Sequence, residues 1–305
     1  MKFSGHDTFS CRTAWLYKGL ELIYKSDNQK NTGNQLSVFN NPNSTIELGL
    51  GKNMVSAVKH WILSFGLYDT EEEEITELAS LIYGDLGDDI ADPFIEDPFT
   101  LWILHHELCS RGYATIYGYF FKEFFKRKST ATFSETDFLS SLKSWIKEQG
   151  VKTPSLNSLK SDFRCLMDMY CLKNSKAGLE ESYSALLIDL NLINQTVFKT
   201  PEKEVVYEIN QHSCTDEHIS LYATLLIKAF GKNVSVSFDR AYTELGSILL
   251  LTRDEFTSKV EQVTQEYSNK FSFKSDAGIS EIQINTSLDF IDFAHSFYYN
   301  TTIES

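Results

Sequence analysis

Over most of the chain, apolar residues recur every three to four positions, which predicts amphipathic helices joined by polar turns. Trp15, Leu16, Leu20, Leu22 and Ile23 mark the first helix, over 12–25. Residues 26–43 are rich in Asn, Gln, Ser and Gly and read as a loop, with a short extended piece over 36–39. The stretch from Ile46 to Trp61 is the most informative: a short helix, a Gly-containing turn and a second amphipathic helix. Ser44 and Glu47 have the spacing of a capping box. Gly49 and Gly51 allow the positive φ of a sharp turn. Met54, Val55, Val58, Trp61, Ile62 and Phe65 then share one apolar face, with Asn53, Ser56, Lys59 and His60 away from it. This is the pattern of a helix-turn-helix, whose second helix would offer a short polar face to a DNA groove. An ordinary helical hairpin with a solvated polar face fits the pattern equally well.

Gly66 to Asp69 reads as a helix end leading into a strand, with Glu71–Glu74 at a hairpin tip and a helix over 77–83. Helix, short helix, second helix and hairpin is the order of a winged helix. Pro93 and Pro98 lie in an acidic linker over 85–98, and a long apolar helix starts at Phe99. Seven aromatics between Tyr113 and Phe125 have helical spacing and read as core rather than as a stacking platform for single strands. Ser134 and Asp137 cap a further helix. A second helix-turn-helix candidate follows, with Leu156, Leu159, Phe163, Leu166, Met167 and Tyr170 on one face and Asn157, Ser158, Lys160, Ser161 and Arg164 opposite. Residues 184–193 suggest a short helix before a strand, 205–209 a strand, and 216–230 and 254–268 helices. The fold class expected is mainly α with small β-hairpins (α+β), carrying winged helix-turn-helix modules. The division expected is a winged-helix-like domain over 1–84, the linker over 85–98, a helical domain over 99–200 and an α+β domain over 201–305.

Charge alters this picture through its distribution. The net charge is −14, which argues against a general polyanion binder. Yet residues 61–100 hold twelve acids and no Lys or Arg, so the other 265 residues total only −2. Residues 1–60 carry +3 and residues 122–176 carry +5. A DNA surface would therefore be local, with the acidic block facing away from it or occupying it when DNA is absent. Five scattered cysteines without a CxxC pair read as reduced core thiols of a cytoplasmic protein. No run of 18 apolar residues suggests a membrane span, and the first residues lack the apolar core of a signal peptide.

No phosphate loop, dinucleotide-binding fingerprint, zinc-protease motif or nucleophile elbow occurs. His212, Cys214 and His218 offer three metal-binding side chains but no fourth, so no metal and no cofactor are expected. His6 and Asp7 near the start could hold a ligand or move a proton. The favoured reading gives His6 a structural hydrogen bond that pins the terminus.

Three segments carry a family resemblance. Phe3-Ser4-Gly5-His6-Asp7-Thr8-Phe9 resembles the FSGHETF opening of the bacterial family catalogued as domain of unknown function 4007. Leu48-Gly49-Leu50-Gly51-Lys52-Asn53-Met54-Val55 resembles its LGVGKNMV segment. The run from Asp92 to Trp102 is similar to its DPYLEDPGTLW stretch, with Phe99 in place of the usual Gly, and the remainder of the chain is similar more diffusely. The resemblance implies a place in bacterial DNA-modification and phage-defence islands. Expected partners are duplex DNA, a phosphoadenosine-phosphosulfate-reductase-like protein and a cysteine desulfurase, which points to phosphorothioate chemistry on DNA. The family offers no catalytic residues to carry over. The expected function is thus DNA binding or scaffolding rather than catalysis, with Lys52, Asn53, Ser56 and Lys59 at the groove and Lys160 and Arg164 on phosphates. The alternative is a protein–protein interaction module that uses its winged helices without touching DNA.

Overall fold

The expected helices form largely where the apolar spacing puts them. In the computed structural model, residues 1–28, 35–84, 91–127, 130–172, 185–197, 205–276, 279–301 and 303 are described. Helix α1 (Thr13–Asn28) packs on α2 (Ser44–Leu48) and α3 (Lys52–Ser64). Between them the run Gln35–Asn40 is a 3-10 helix that buries Leu36 and Phe39, not the extended piece expected. Leu36 and Phe39 are three apart, and a 3-10 turn puts such a pair on one side. The strands β1 (Tyr68–Asp69) and β2 (Glu74–Ile75) pair antiparallel, Tyr68 opposite Ile75, and lead into α4 (Glu77–Tyr83). Thr76 caps α4, accepting from the Ala79 amide.

Two local expectations need correction. Ser44 does not cap α2: it is the first helical residue, and its hydroxyl donates to the Val38 carbonyl at 2.5 Å. Gly49 has the expected positive φ of 65°, but Gly51 is extended at φ −67° and ψ 156°. One left-handed residue suffices to end α2, and α3 then starts from an extended N-cap, as helices usually do.

Two compact units make up the chain. The first comprises residues 1–96 and 107–210, the second residues 97–106 and 211–305. These do not follow the expected boundaries at 84, 98 and 200. Residues 91–96 are not a free linker either. Asp92 is buried, its amide donates to the Ile82 carbonyl, and its carboxylate accepts from the Glu96 amide at 2.9 Å. The part of the acidic segment over 85–90 lies outside the described residues.

In the first unit, α6 (Thr115–Tyr119) runs into a wider π turn, Phe120–Phe124. Tyr117, Tyr119, Phe120, Phe121 and Phe124 are all buried, so the aromatic run is core. Strand β3 (Thr132–Ser134) precedes α7 (Glu135–Glu148), which begins with the expected Ser134–Asp137 capping box. Helix α8 (Leu156–Tyr170) packs against α6 and α7. The strands β4 (Ile193–Val197) and β5 (Val205–Ile209) complete an antiparallel sheet of order β3-β5-β4, with Phe133 opposite Tyr207.

The second unit contains Asp97 and residues 98–106 of helix α5 (Pro98–Ser110). There the Trp102 indole donates to Glu217, and Phe99 stacks on Phe297 at 4.0 Å between ring centroids. Helix α9 (Ile219–Phe230), strand β6 (Val234–Ser237), helices α10 (Phe238–Ala241) and α11 (Arg253–Glu266), strands β7 (Phe271–Asp276) and β8 (Ile279–Ile284) and helix α12 (Phe290–Tyr299) follow. The sheet order is β6-β8-β7, all antiparallel. The fold is mainly helical with small antiparallel sheets, as the apolar spacing implied. Among the described residues no helix is long and apolar enough to cross a membrane.

Trp61 sits at the centre of the first unit, fully buried, with its indole N–H donating to the Phe9 carbonyl at 3.0 Å. Trp61→Ala should cost roughly 3–5 kcal/mol, read from the urea midpoint. Gly66→Ala should also destabilise. Gly66 has φ +64°, and a β-carbon there would lie 2.4 Å from a Glu107 carboxylate oxygen.

Candidate nucleic-acid interface

Helix α3 begins at an open turn. Gly51 is its N-cap and makes no side-chain cap bond, so the first-turn amides of α3 are left to solvent or to an anion. Nothing lies within 4 Å of a β-carbon built at Gly49 or Gly51. Lys52, Asn53 and Ser56 are all exposed beside this turn. Lys59 is different: it is half-buried, and its amine donates to the Leu36 carbonyl at 3.4 Å.

The polar stripe of α3 is shorter than the sequence suggests. Asn53, Ser56 and His60 are three and four apart and so lie along one line of the helix. His60 nevertheless is only 5% exposed. The N-terminal loop covers it, with Gly5 so close that a β-carbon there would sit 2.7 Å from His60 Nδ1. Trp61 and Tyr113 pack on the same ring, at 5.0 and 5.5 Å between centroids. Among the described residues, the buried His60 Nε2 has no hydrogen-bond partner. Burial, helped by repulsion from His6 and Lys2, pushes its imidazole down to about 3. The expectation of an exposed His60 fails because a segment distant in sequence closes over that end of the stripe.

The covering loop is built around Asp162 of α8. This carboxylate is 1% exposed, yet it accepts from the Ser4 amide at 3.0 and 3.2 Å and from His6 Nε2 at 2.7 Å. The Thr8 amide donates to His6 Nδ1 at 3.1 Å, which places the imidazole proton on Nε2. Both ring nitrogens of His6 are therefore occupied by the protein's own groups. His6 thereby links the N-terminal loop to α8. Asp7 stays exposed and shares no hydrogen bond with His6. Ser4, Asp7 and Thr8 all take positive φ (63°, 46° and 70°), as does Gly5 at 106°. The Trp61–Phe9 hydrogen bond fixes the other end of the loop to α3.

Asp162 is the residue that sequence reasoning missed. The signal was present: it is a carboxylate three residues after Leu159 and four before Leu166, inside the apolar stripe of α8. An acid in that position must be satisfied from another segment.

On α8 the candidate phosphate ligands differ. Arg164 is exposed and has no ion-pair partner among the described residues. Lys160 is half-buried, 3.6 Å from Glu135 of α7. The three candidate metal ligands near residue 215 have separate tasks. His212 pairs with Glu255, Cys214 is buried, and His218 caps α9 by accepting from the Ser220 amide. Among the described residues, no group of three or more His, Cys, Asp and Glu side chains could hold a metal ion.

Comparison with known proteins gives a family and a fold. The family model described as "Protein of unknown function (DUF4007)" matches residues 3–296. No curated protein matches the chain. The crystal structure of SspB is similar, with a TM-score of 0.74 at 20% identity, covering 98% of this chain and 88% of that one. Magnesium ion-bound SspB is similar with a TM-score of 0.75 at 21% identity and the same coverage. At such identities the likeness is one of fold.

Two outcomes follow from the loop. Asp162→Ala strips His6 and the Ser4 amide of their acceptor. It should lower stability by about 3 kcal/mol, the scale of losing hydrogen bonds to a buried charged group and leaving their donors unpaired. The second concerns acid. An unfolded chain protonates His60 near the ordinary 6.5, the folded one only near 3. Between these values the unfolded form binds more protons, so stability falls as pH drops from 6.5 toward 3. His60→Phe keeps a ring and removes the titration. Relative to the unmodified chain, it should recover on the order of 2 kcal/mol between pH 6.5 and 4.5. Urea midpoints at the two pH values measure this. Equal acid sensitivity in both proteins would rule His60 out as the group responsible.

Proposed function

We propose that this chain, which belongs to the DUF4007 family, binds duplex DNA as an accessory protein of a bacterial DNA-modification or phage-defence system. In this reading α1, α2 and α3 with the β1–β2 hairpin act as a winged-helix module, and α3 enters the major groove. The observation that carries it is the open first turn of α3, where Lys52, Asn53 and Ser56 stand exposed beside uncapped amides. Backbone amides and Lys52 suit a phosphate, and an Asn side chain suits the edge of adenine. Lys59, tied to Leu36, has a lesser part. Arg164, and Lys160 once released from Glu135, would add phosphate contacts along α8.

In this reading the role is binding rather than catalysis, and the hydrogen bonds that hold both ring nitrogens of His6 within the protein support it. The family resemblance supplies the setting. It suggests a phosphorothioation-linked system, with a phosphoadenosine-phosphosulfate-reductase-like protein and a cysteine desulfurase as protein partners. Co-purification from a bacterium that encodes all three tests that assembly, and their absence from the purified material would remove it.

Binding to a fluorescent duplex at low and moderate salt tests the main reading. Affinity should fall steeply with salt. Lys52→Glu with Ser56→Glu should abolish or strongly weaken it, and should lower the salt slope by roughly one unit per phosphate no longer neutralised. Folding stability should change by about 0.5 kcal/mol or less, since both positions are exposed. No binding at low salt would overturn the proposal. Unchanged binding by the double variant would move the DNA surface to Lys160 and Arg164.

A further inference from the structure

The β1–β2 hairpin has the wrong charge for a DNA-contacting wing. Glu71, Glu72, Glu73, Glu74 and Glu77 are exposed, and none has an ion-pair partner among the described residues. The Asp69 carboxylate accepts from the amides of Glu71 and Glu72, which folds the turn back on itself and keeps Asp69 charged. No Lys or Arg occurs between Trp61 and Thr100 to offset this charge. On α1, Lys25 is already paired with Glu21 at 2.6 Å.

Beside this hairpin is a cavity of about 180 Å³ lined by residues of α1, β2 and α4. Leu20 and Ile23 are buried and make an apolar floor with half-buried Ile75. Tyr24, 39% exposed, and the exposed Glu74 also line it, together with half-buried Ser80. The volume is below the roughly 300–1,000 Å³ of a pocket that holds a small molecule or cofactor. It suits one long side chain. An apolar floor under a carboxylate and a phenol matches the side chain of Arg or Lys, whose methylene stem packs on apolar surface while its head meets an acid and an aromatic ring.

We propose that the acidic hairpin and this cavity form a docking surface for a basic segment of a protein partner. One Arg or Lys stem would fill the cavity, with its head at Glu74 and Tyr24. Flanking basic residues would face Glu71–Glu73. The surface stands independently of DNA binding, since neither Lys52 nor Ser56 takes part in it. Charge complementarity selects the partner and speeds its arrival, while the cavity fixes the register.

The probe is a fluorescent peptide alternating Leu with Arg, set against the same peptide with Glu for Arg. Anisotropy should show salt-dependent binding of the Arg peptide only. Ser80→Trp fills the cavity and should weaken binding roughly tenfold while leaving duplex DNA affinity unchanged. Tyr24→Ala, at an exposed position, checks the same cavity should Ser80→Trp disturb α4. Glu71→Gln with Glu72→Gln and Glu74→Gln should weaken binding and flatten its salt dependence. The Arg peptide failing to bind the unmodified chain overturns the proposal. Binding that responds to the glutamate changes but to neither cavity variant overturns the cavity's part and leaves a general charge attraction. Loss of DNA binding with peptide binding intact would count against the DNA reading alone.

Discussion

A carboxylate buried in an apolar stripe constrains the first unit more than any other group. Taking an ionised carboxyl out of water costs several kcal/mol unless hydrogen bonds replace its hydration. Asp162 meets that cost with donors from a segment more than 150 residues earlier in the chain, the Ser4 amide and His6 Nε2. To aim both donors at one carboxylate, the loop adopts left-handed backbone at Ser4, Gly5, Asp7 and Thr8. Left-handed φ at non-glycine residues is unfavourable and persists only where the surroundings hold it. Here the surroundings are His6 itself, whose Nδ1 accepts from Thr8, and Trp61, whose indole holds Phe9. His6 is thus drawn into the core, and the loop around it ties α3 to α8. This is why residues 1–96 and 107–210 form one compact unit instead of the separate domains that composition suggested.

The same unit carries two surfaces of opposite character. At the start of α3 the chain offers a lysine, two neutral polar side chains and free amides. A few residues after α3 it offers five glutamates, unpaired among the described residues, on a hairpin and the helix that follows it. A polyanion approaching the first surface gains from amide dipoles and a cation, and loses from the field of the second. The overall charge of −14 therefore says little about DNA binding. What matters is which face is presented, and a basic partner seated on the hairpin would cancel the repulsion.

Local rules made much of this fold readable. The Ser134–Asp137 capping box, the Gly49 turn and the ends of α4 and β5 depend on residues within four positions of one another, so the sequence displays them directly. Features that depend on distant segments were read less well. Strand β7 has Phe271 and Phe273 alternating with polar residues, but six residues of alternation mean little until β8 is known to pair with them. Gln35–Asn40 looked extended because its polar neighbours resemble a loop, and its helical turn is set by Leu36 and Phe39 seeking the core beside α1 and α3. His60 is the clearest example for the candidate site. Its spacing from Asn53 and Ser56 placed it correctly on the polar stripe, and the Gly5 loop, folded over it from 55 residues earlier, removes it from solvent together with Tyr113.

The shortened stripe also limits what α3 can do unaided. With His60 covered and Lys59 held by the Leu36 carbonyl, about one turn of helix remains to meet a groove. A well-placed base contact discriminates by about 1–3 kcal/mol, and Asn53 and Ser56 offer two at most. Specific DNA proteins reach affinities of roughly 10⁻⁸ M or tighter by burying about 1,000 Å² or more of protein surface. One exposed turn does not provide that area. In the DNA reading, then, α3 can select or orient a duplex only when a second element supplies the remaining surface. Within this chain the exposed Arg164 on α8, unpaired among the described residues, is one candidate. Beyond it, the acidic hairpin and its cavity would allow a basic partner to join the complex and to bring its own phosphate contacts. A protein with a small DNA-reading edge and a separate protein-docking face is suited to place another component on DNA, which is the physical content of an accessory role.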